Sequence, residues 1–553
     1  MNRKLSFTVL FLLAAFYSIS QVTLKQIDPF VKVMQTERSV PAFNEIHSVA
    51  YDEVLTLQLL LQSTQKKQDV RLTFSSSKIS KAVLDKIKIY RQGYIKVSPK
   101  IHAPSHDKLS AANNLFPDPL FPEKSFSPTP DANIPMTLEL PITSGISVGN
   151  HIVFINAVDA TNKVLATTSF TMQVYNVKVP AKKMNYVNWY HDSEFQLMNN
   201  GNNVKDFSPE YWAQFKRIVQ ACKEYGQNIF TINPFFLIQF KKNKGTYSAD
   251  YTHLDRAIDI ILKEVGMEYV LARQFALRKS GWEDPFALQM PNFYNDTQYW
   301  METKFISDKE VVNFYNWFLP SYHSHLKNKL VLSKYLHHIG DEPLAANEQS
   351  YRDIAAFIRK KTPDLKTIEA VSDANLLEHI DILVVQLGEL SFRYDDVMRR
   401  VQNAKKEIWF YTANHPQGNY ANRFIELPLI KTRLLPWAGF RYNLKGYLHW
   451  GLNFWGRKPF EDATKVMFDG PIEFPGGDAY IIYPGYQSVI LSTRFLEMRN
   501  GLNDVALLEL LKAKNPNAAT RIALELVQDF QNYNTNTKFF ISKKKEILEL
   551  LSR

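Results

Sequence analysis

The sequence predicts a multi-domain protein in which an N-terminal β-sandwich precedes a (β/α)8 TIM barrel and a short helical tail closes the chain. Three observations carry that prediction. A length of 553 residues exceeds what one hydrophobic core usually organises. Up to Pro180 the chain is written in short alternating apolar and polar runs, the period of two that a half-buried strand requires. Beyond Pro180, apolar runs alternate with stretches of helical period, the rhythm of parallel βα units.

In chain order, residues 1–20 read as a signal peptide: Arg3 and Lys4, an apolar run from Leu5 to Tyr17, then the small residues Ser18 and Ser20. That run is short for a comfortable membrane span, so stable insertion is not expected, an uncleaved anchor being the alternative. The one cysteine, Cys222, is far from the cleavage point and offers no site for a lipid. The expected location is therefore periplasmic or extracellular. Residues 21–180 carry the sandwich runs, among them VLTLQLLLQ, DVRLTF, IKIYRQGYIKV, MTLELPI, HIVFINAV and FTMQVYNVKV. Within them Ala103–Pro135, rich in Pro, Asn and Ser, is expected to be a long loop over the sandwich surface.

Residues 181–505 are assigned to the barrel, with eight strand candidates at 185–190, 227–234, 268–275, 335–343, 366–372, 381–388, 407–414 and 446–455. Helical stretches such as Ser208–Tyr225, Leu254–Val265, Asp308–Lys327, Asn347–Lys361 and Phe424–Trp437 fall between most of them, the helix between the fifth and sixth being weak. The third connection, Ala276–Ser307, is long, aromatic and rich in Asn and Pro, which suits a lid or a wall of a site. Residues 506–553 read as amphipathic helices carrying no chemistry.

Composition narrows the function classes. The net charge of +11 is spread without a long Lys/Arg block, and no nucleic-acid-reading motif accompanies it, so nucleic acid is not an expected partner. A single cysteine excludes disulfides within the chain, and Cys222, in an amphipathic helix, reads as a small buried apolar side chain. His337 and His338 invite a metal, but neighbours on a strand point to opposite faces and cannot share one ion simply. No glycine-rich phosphate loop, GxSxG elbow or Cys/His dyad is present, and no cofactor is expected. Oligomeric state is not legible.

In such a barrel the active site lies at the C-terminal ends of the strands, so the residues that close each apolar run carry the argument. The fourth run closes in HHIGDEP. Asp341 and Glu342 are adjacent, after a Gly that permits close approach and before a Pro that stops the strand. Where the chain curls, both carboxylates reach one pocket, and the drier one has its pKa raised toward that of a working acid. The plain alternative is that Asp341 caps a helix and Glu342 pairs with a surface Lys. Two carboxyls that flank a sugar stand about 5 Å apart in retaining enzymes and about 6.5–9.5 Å apart in inverting ones, a span that adjacent residues do not straddle. A better fit is substrate-assisted catalysis, in which the 2-acetamido oxygen of the sugar attacks its own anomeric carbon. Glu342 then serves as acid and base, and Asp341 holds the amide N–H and stabilises the charge that develops.

The eighth run offers His449, Trp450, Asn453 and Trp455, indoles with polar neighbours that suit a sugar, though each Trp reads equally as core. Tyr411 and Asn414 end the seventh run and Arg273 the third. All seven are candidate substrate-binding residues; Tyr411 reads either as a donor to an acetamide carbonyl or as a buried Tyr satisfied by backbone.

HHIGDEP, GYLHWGLNFW, NRFIELPL from Asn422, GDAYIIYPG from Gly477 and STRFLEMRNG from Ser492 together resemble glycoside hydrolase family 123, the β-N-acetylgalactosaminidases and their relatives. The likeness runs from about Tyr186 to Asp504 and extends to NNLFPDPLFP in the N-terminal region. It implies a β-sandwich before a (β/α)8 barrel, Asp341 as the acetamide-orienting residue and Glu342 as acid/base. One departure is Val505, where members commonly show Tyr after the Asp, which bears on C-terminal packing. Three readings stand: a retaining β-N-acetylhexosaminidase acting on an oligosaccharide or glycoconjugate, with N-acetylgalactosamine the leading sugar; a glycosidase with a separate nucleophile such as Glu369 or Glu389; and a non-catalytic glycan-binding barrel.

Overall fold

The computed structural model describes residues 21–100, 103–192, 195–372, 374–467 and 471–553. The expected signal peptide lies outside them. Among the described residues, the N-terminal region forms two sheets. One has seven strands, ordered Val22–Ile27, Val54–Ser63, Ile134–Pro141, Lys88–Lys96, Leu115–Pro122, Ser488–Ser492 and Tyr483–Gly485. The other has four: His47–Tyr51, Val164–Lys178, Gly149–Val158 and Arg71–Ser75. Leu57, Leu59 and Leu138 of the first share one buried cluster with Val153, Ile155 and Met172 of the second. Burying each such side chain contributes roughly 1.5–3 kcal/mol.

The segment expected to be a loop, Ala103–Pro135, instead contains the strand Leu115–Pro122, paired to Lys88–Lys96 on one side and to Ser488–Ser492 on the other. Pro117, Pro119 and Pro122 hide it in the sequence, because proline donates nothing to a ladder and argues against an inner strand. The pairing accommodates them through a register shift between Gln92 and Tyr94. Gly93 is needed there, since a Cβ on it would stand 2.3 Å from the Phe121 ring.

All eight barrel strands form where the apolar runs placed them: β1 (Asn185–Asn188), β2 (Ile229–Ile232), β3 (Tyr269–Ala272), β4 (Tyr335–His337), β5 (Lys366–Val371), β6 (Ile382–Gln386), β7 (Glu407–Tyr411) and β8 (Gly446–His449). They pair in parallel in the order β1-β8-β7-β6-β5-β4-β3-β2, a nearly closed ring. Side chains stitch the seam between the two end strands. Asn228 Oδ1 accepts the Tyr186 N–H at 2.9 Å, Gln227 Oε1 accepts that of Asn188 at 3.2 Å, and Thr231 Oγ1 that of Tyr190 at 2.6 Å. They meet donors that an open sheet edge would leave unpaired. Inside the ring Val187, Leu271, Leu336, Ile368, Val384, Trp409 and Leu448 pack together, while alternate residues face the surrounding helices, as the pleat demands.

Two further features complete the chain. The third connection, expected as a lid or a wall, forms three strands, Ala276–Arg278, Phe286–Tyr294 and Thr297–Lys304, which join the hairpin Gln239–Asn243 and Thr246–Asp250 in a five-stranded antiparallel sheet. The first C-terminal helix begins at Thr493 and runs through the end of the range assigned to the barrel. Thr493–Lys514 is almost wholly buried, and Pro516–Leu526 and Thr537–Ser552 pack after it. Arg494 in the first of these meets Asp118 at 2.8 Å, both fully buried. Asp504 accepts from Arg433 at 2.6 and 3.0 Å, so the Asp-Val departure leaves that pairing in place. Cys222 is buried in the helix Pro209–Glu224. No described helix is long and apolar enough to cross a membrane.

Candidate active site

At the C-terminal ends of the strands a cavity of about 600 Å³ opens, within the size range of small-molecule sites. It is lined by Trp189, His191, Arg273, Gln274, Ala276, Leu277, Arg278, Trp282, Phe286, Asp341, Glu342, Ala370, Gln386, Tyr411, Ala413, Asn414, His415, Leu448, Trp450, Phe474 and Asp478. Of the nine residues singled out in the sequence, Asp341, Glu342, Arg273, Tyr411, Asn414 and Trp450 meet on this wall.

Asp341 and Glu342 follow β4 in a turn, not on the strand itself. Gly340 lets the chain pass, since a Cβ there would come within 2.9 Å of the Phe286 ring. Glu342 has a left-handed φ of 43°, costly for a side chain with a Cβ and typical of functional sites. Arg278 holds that conformation, its Nη2 donating to the carbonyl oxygens of both Asp341 and Glu342 at 2.5 Å. The guanidinium lies between the Trp282 and Phe286 rings, 4.4 and 4.7 Å from their centroids. Burial, then the charge of Asp341, pushes the Glu342 carboxyl up to about 7, and a hydrogen bond from the Tyr411 hydroxyl partly opposes the rise.

On the opposite flank Trp450 donates its indole N–H to Asp478 Oδ2 at 3.1 Å. Burial pushes Asp478 up to about 7 as well, with Arg423 working against it. His191 lies between Arg273 and Trp450, 3.5 Å from Arg273 Nη1 and 3.1 Å from the Trp450 carbonyl oxygen. Burial and the Arg273 charge push it down to about 3, so it is neutral.

The other three predicted residues sit behind the wall. β8 ends at His449 and the chain then turns, so the strand alternation expected through Trp455 does not continue. His449 is fully buried with Nε2 3.4 Å from Asp478 Oδ1. Asn453 clasps the backbone of His191 through both amide groups at 2.9 Å. Trp455 is core, its indole N–H donated to the Ile482 carbonyl at 2.6 Å. Glu369 is fully buried and paired with His338, and Glu389 lies on a helix 3.1 Å from Arg393; neither lines the cavity. His337 and His338 diverge: the first packs against Phe275 and the second against Trp189, in both cases with tilted rings. No group of three or more metal-ligating side chains is found among the described residues.

Sequence reasoning passed over Trp189, His191, Arg278, Trp282, Gln386 and Asp478. Asp478 carried a signal, since it opens the GDAYIIYPG motif. That motif's place is set by Arg423, which donates to Asn188 Oδ1 at 2.6 Å and to the Asp478 carbonyl at 3.0 Å.

The family model of the glycoside hydrolase 123 catalytic domain matches residues 189–511. A family 123 glycoside hydrolase from Clostridium perfringens, studied for glycolipid glycan hydrolysis, superposes with a TM-score of 0.73 at 16% identity, over 96% of this chain and 97% of that one. A β-D-glucuronidase from Dictyoglomus thermophilum is similar at a TM-score of 0.32 and 11% identity, over 87% of this chain and 68% of that one. No curated protein matches the sequence.

Proposed function

The chain belongs to glycoside hydrolase family 123 and is a glycoside hydrolase acting on glycans, and from that premise we propose a retaining enzyme that removes β-linked N-acetylhexosamine, with N-acetylgalactosamine the leading sugar. The observation that carries the reading is the adjacency of Asp341 and Glu342 on the cavity wall, with Glu342 pushed up to about 7.

Two neighbouring carboxyls serve different steps. Glu342 gives its proton to the glycosidic oxygen while the acetamido carbonyl oxygen attacks C1, and the C1–O bond to the leaving group breaks. Asp341 accepts the acetamido N–H and stabilises the oxazolinium ion. Glu342, now a carboxylate, takes a proton from water as its oxygen attacks C1 from the face the leaving group left. The ring opens to the acetamide and the β-configuration is retained. Arg273, Asn414 and Trp450 bind the sugar in this reading, with the Trp450 indole as an apolar floor.

A separate nucleophile remains the second reading, because Asp478 also lines the cavity. Its Oδ2 is engaged by the Trp450 indole, and a carboxyl that keeps its proton to about 7 is a poor nucleophile. A panel of nitrophenyl glycosides decides between them. Turnover confined to 2-acetamido sugars and blocked by a thiazoline analogue supports the proposal; a 2-fluoro glycoside that labels Asp478 covalently refutes it.

The same reading takes residues 1–20 as the export signal of a periplasmic or extracellular enzyme, 21–180 as a sandwich, 181–505 as the catalytic barrel and 506–553 as a helical tail. Mass spectrometry of the N-terminus of protein recovered from the native host tests the first of these.

A further inference from the structure

His338 stands between two carboxylates. Its Nδ1 is ion-paired with Glu369, and its Nε2 lies 3.6 Å from Asp341 Oδ1. Glu369 is itself anchored, since its Oε1 accepts the Ile339 N–H at 2.5 Å and the Gly340 N–H at 3.4 Å, the two amides that lead into Asp341. Trp189 covers the imidazole with centroids 5.0 Å apart. Carboxylates only accept hydrogen bonds, and a neutral imidazole has a single N–H to give. With a carboxylate oxygen close to each ring nitrogen, the surroundings favour the imidazolium, the form that carries positive charge toward both.

Two adjacent carboxyls pose a question that their own chemistry leaves open: which of them keeps the proton. We propose that His338 and Glu369 are positioning residues that keep Asp341 ionised and aimed, so that the one proton of the pair resides on Glu342. The inference rests on the roles given to Asp341 and Glu342 above. The groups around the pair agree with it. Burial alone would lower His338, but Glu369 and Asp341 reverse that and push it up to about 10. His337 turns away, its Nδ1 meeting the His338 carbonyl oxygen, and is pushed down to about 3 by burial, so it adds no charge. Tyr351 faces Glu369 from the helix Glu348–Lys361. Arg273 adds positive charge on the Asp341 side, and Arg278 acts on both carboxyls. Glu342 meets the neutral Tyr411 hydroxyl first, and Arg278 and His338 act on it less than that bond does.

The test has two arms on the full chain. In protein labelled with 15N-histidine, the His338 ring, identified by comparison with H338Q and E369Q, should give the imidazolium signature from pH 5.5 to 8.5; a neutral tautomer at pH 7 overturns the proposal. In the pH profile of kcat/KM, H338Q removes a neighbouring cation and E369Q removes the anion that holds that cation charged, so each should move the acid limb up by about one unit or more. A role confined to stability would lower turnover at every pH and leave the limb in place, and an unmoved limb in the folded variants overturns the proposal. The NMR arm needs no substrate, so failure to hydrolyse any N-acetylhexosaminide would sink the substrate reading without deciding the His338 assignment.

Discussion

Tyr411, the last residue of β7, donates its hydroxyl hydrogen to Oε1 of Glu342, two residues past the Gly that ends the β4 run. The bond favours the ionised carboxyl, so it holds the Glu342 pKa below where burial and Asp341 alone would set it. As the proposed acid, Glu342 must be protonated in the free enzyme, and kcat/KM should fall as pH rises through about 7. Tyr411→Phe should carry that alkaline limb to higher pH. A limb that stays or moves down would show that the hydroxyl does not act on this carboxyl.

Glu342 also makes stability depend on pH. Its folded pKa of about 7 lies above the ordinary 4.5, so the folded state binds the proton more tightly and the cost of ionising it grows as pH climbs between those values. Glu342→Gln has no proton to lose. Its melting temperature relative to wild type should rise from pH 4.5 to pH 7.5, with a ceiling on the order of 3 kcal/mol, while turnover falls roughly 10²–10⁴-fold. Parallel melting curves for the two proteins across that window would refute the shifted pKa.

Arg278 acts through the backbone. One Nη2 holds two successive carbonyl oxygens at 2.5 Å across a residue with positive φ, while the rings of Trp282 and Phe286 keep the guanidinium flat between them. Lysine offers a point charge without the planar fork and stacks poorly. Arg278→Lys is expected to lower kcat by about 10–100-fold, as a catalytic group displaced by about an ångström does. Unchanged kcat would mean that the turn holds its shape unaided.

Trp282 is 58% exposed although it lines the cavity, so its indole has a free face at the mouth. Apolar sugar faces stack on such rings. Trp282→Ala should raise KM for a disaccharide severalfold, leave KM for a methyl glycoside nearly unchanged and barely alter the melting temperature. Equal effects on both substrates would remove the ring from the leaving-group side.

The barrel was legible because its strands are buried on both faces and read as continuous apolar runs; DILVVQLG and EIWFYTAN could hardly be anything else. What such a run does not mark is where its strand stops. β8 ends at His449, six residues before the apolar stretch GYLHWGLNFW does, which is why Asn453 and Trp455 were expected at the mouth and lie behind it. The strand Leu115–Pro122 was hidden by its prolines, and the sheet of the third connection by strands such as Thr297–Lys304, where Thr297, Tyr299 and Trp300 are exposed and the burial pattern has no clean alternation. In the site, Asp341 and Glu342 stood out as adjacent acids closing a strand. Arg278 and Trp282 did not, because their value comes from a chain excursion that local periodicity cannot foresee.

Asp118 and Arg494 tie the N-terminal sheet to the site from the other side. Arg494 Nε and Nη2 reach Asp118 at 2.9 and 2.8 Å, and the guanidinium also donates to the carbonyls of Arg423 at 3.3 Å, Gly477 at 2.9 Å and Tyr480 at 3.1 Å, the last two on either side of Asp478 and Ala479. Gly477 has a φ of 92°, and a Cβ on it would meet Arg494 Nη1 at 2.8 Å, so the fit is close. Removing one partner strands a fully buried charge, which costs about 3–5 kcal/mol. Arg494→Met and Asp118→Asn should both lower the melting temperature strongly, but they should differ at the cavity. Arg494→Met also frees the carbonyls that hold the Asp478 segment, so its surviving folded fraction should show a raised KM, whereas Asp118→Asn keeps those bonds and should show a KM near wild type. The double variant Asp118→Leu, Arg494→Met, with no charge left to bury, should regain part of the stability and none of the KM. Recovery of both together would mean that the pair serves the fold alone and that the Asp478 wall stands without it.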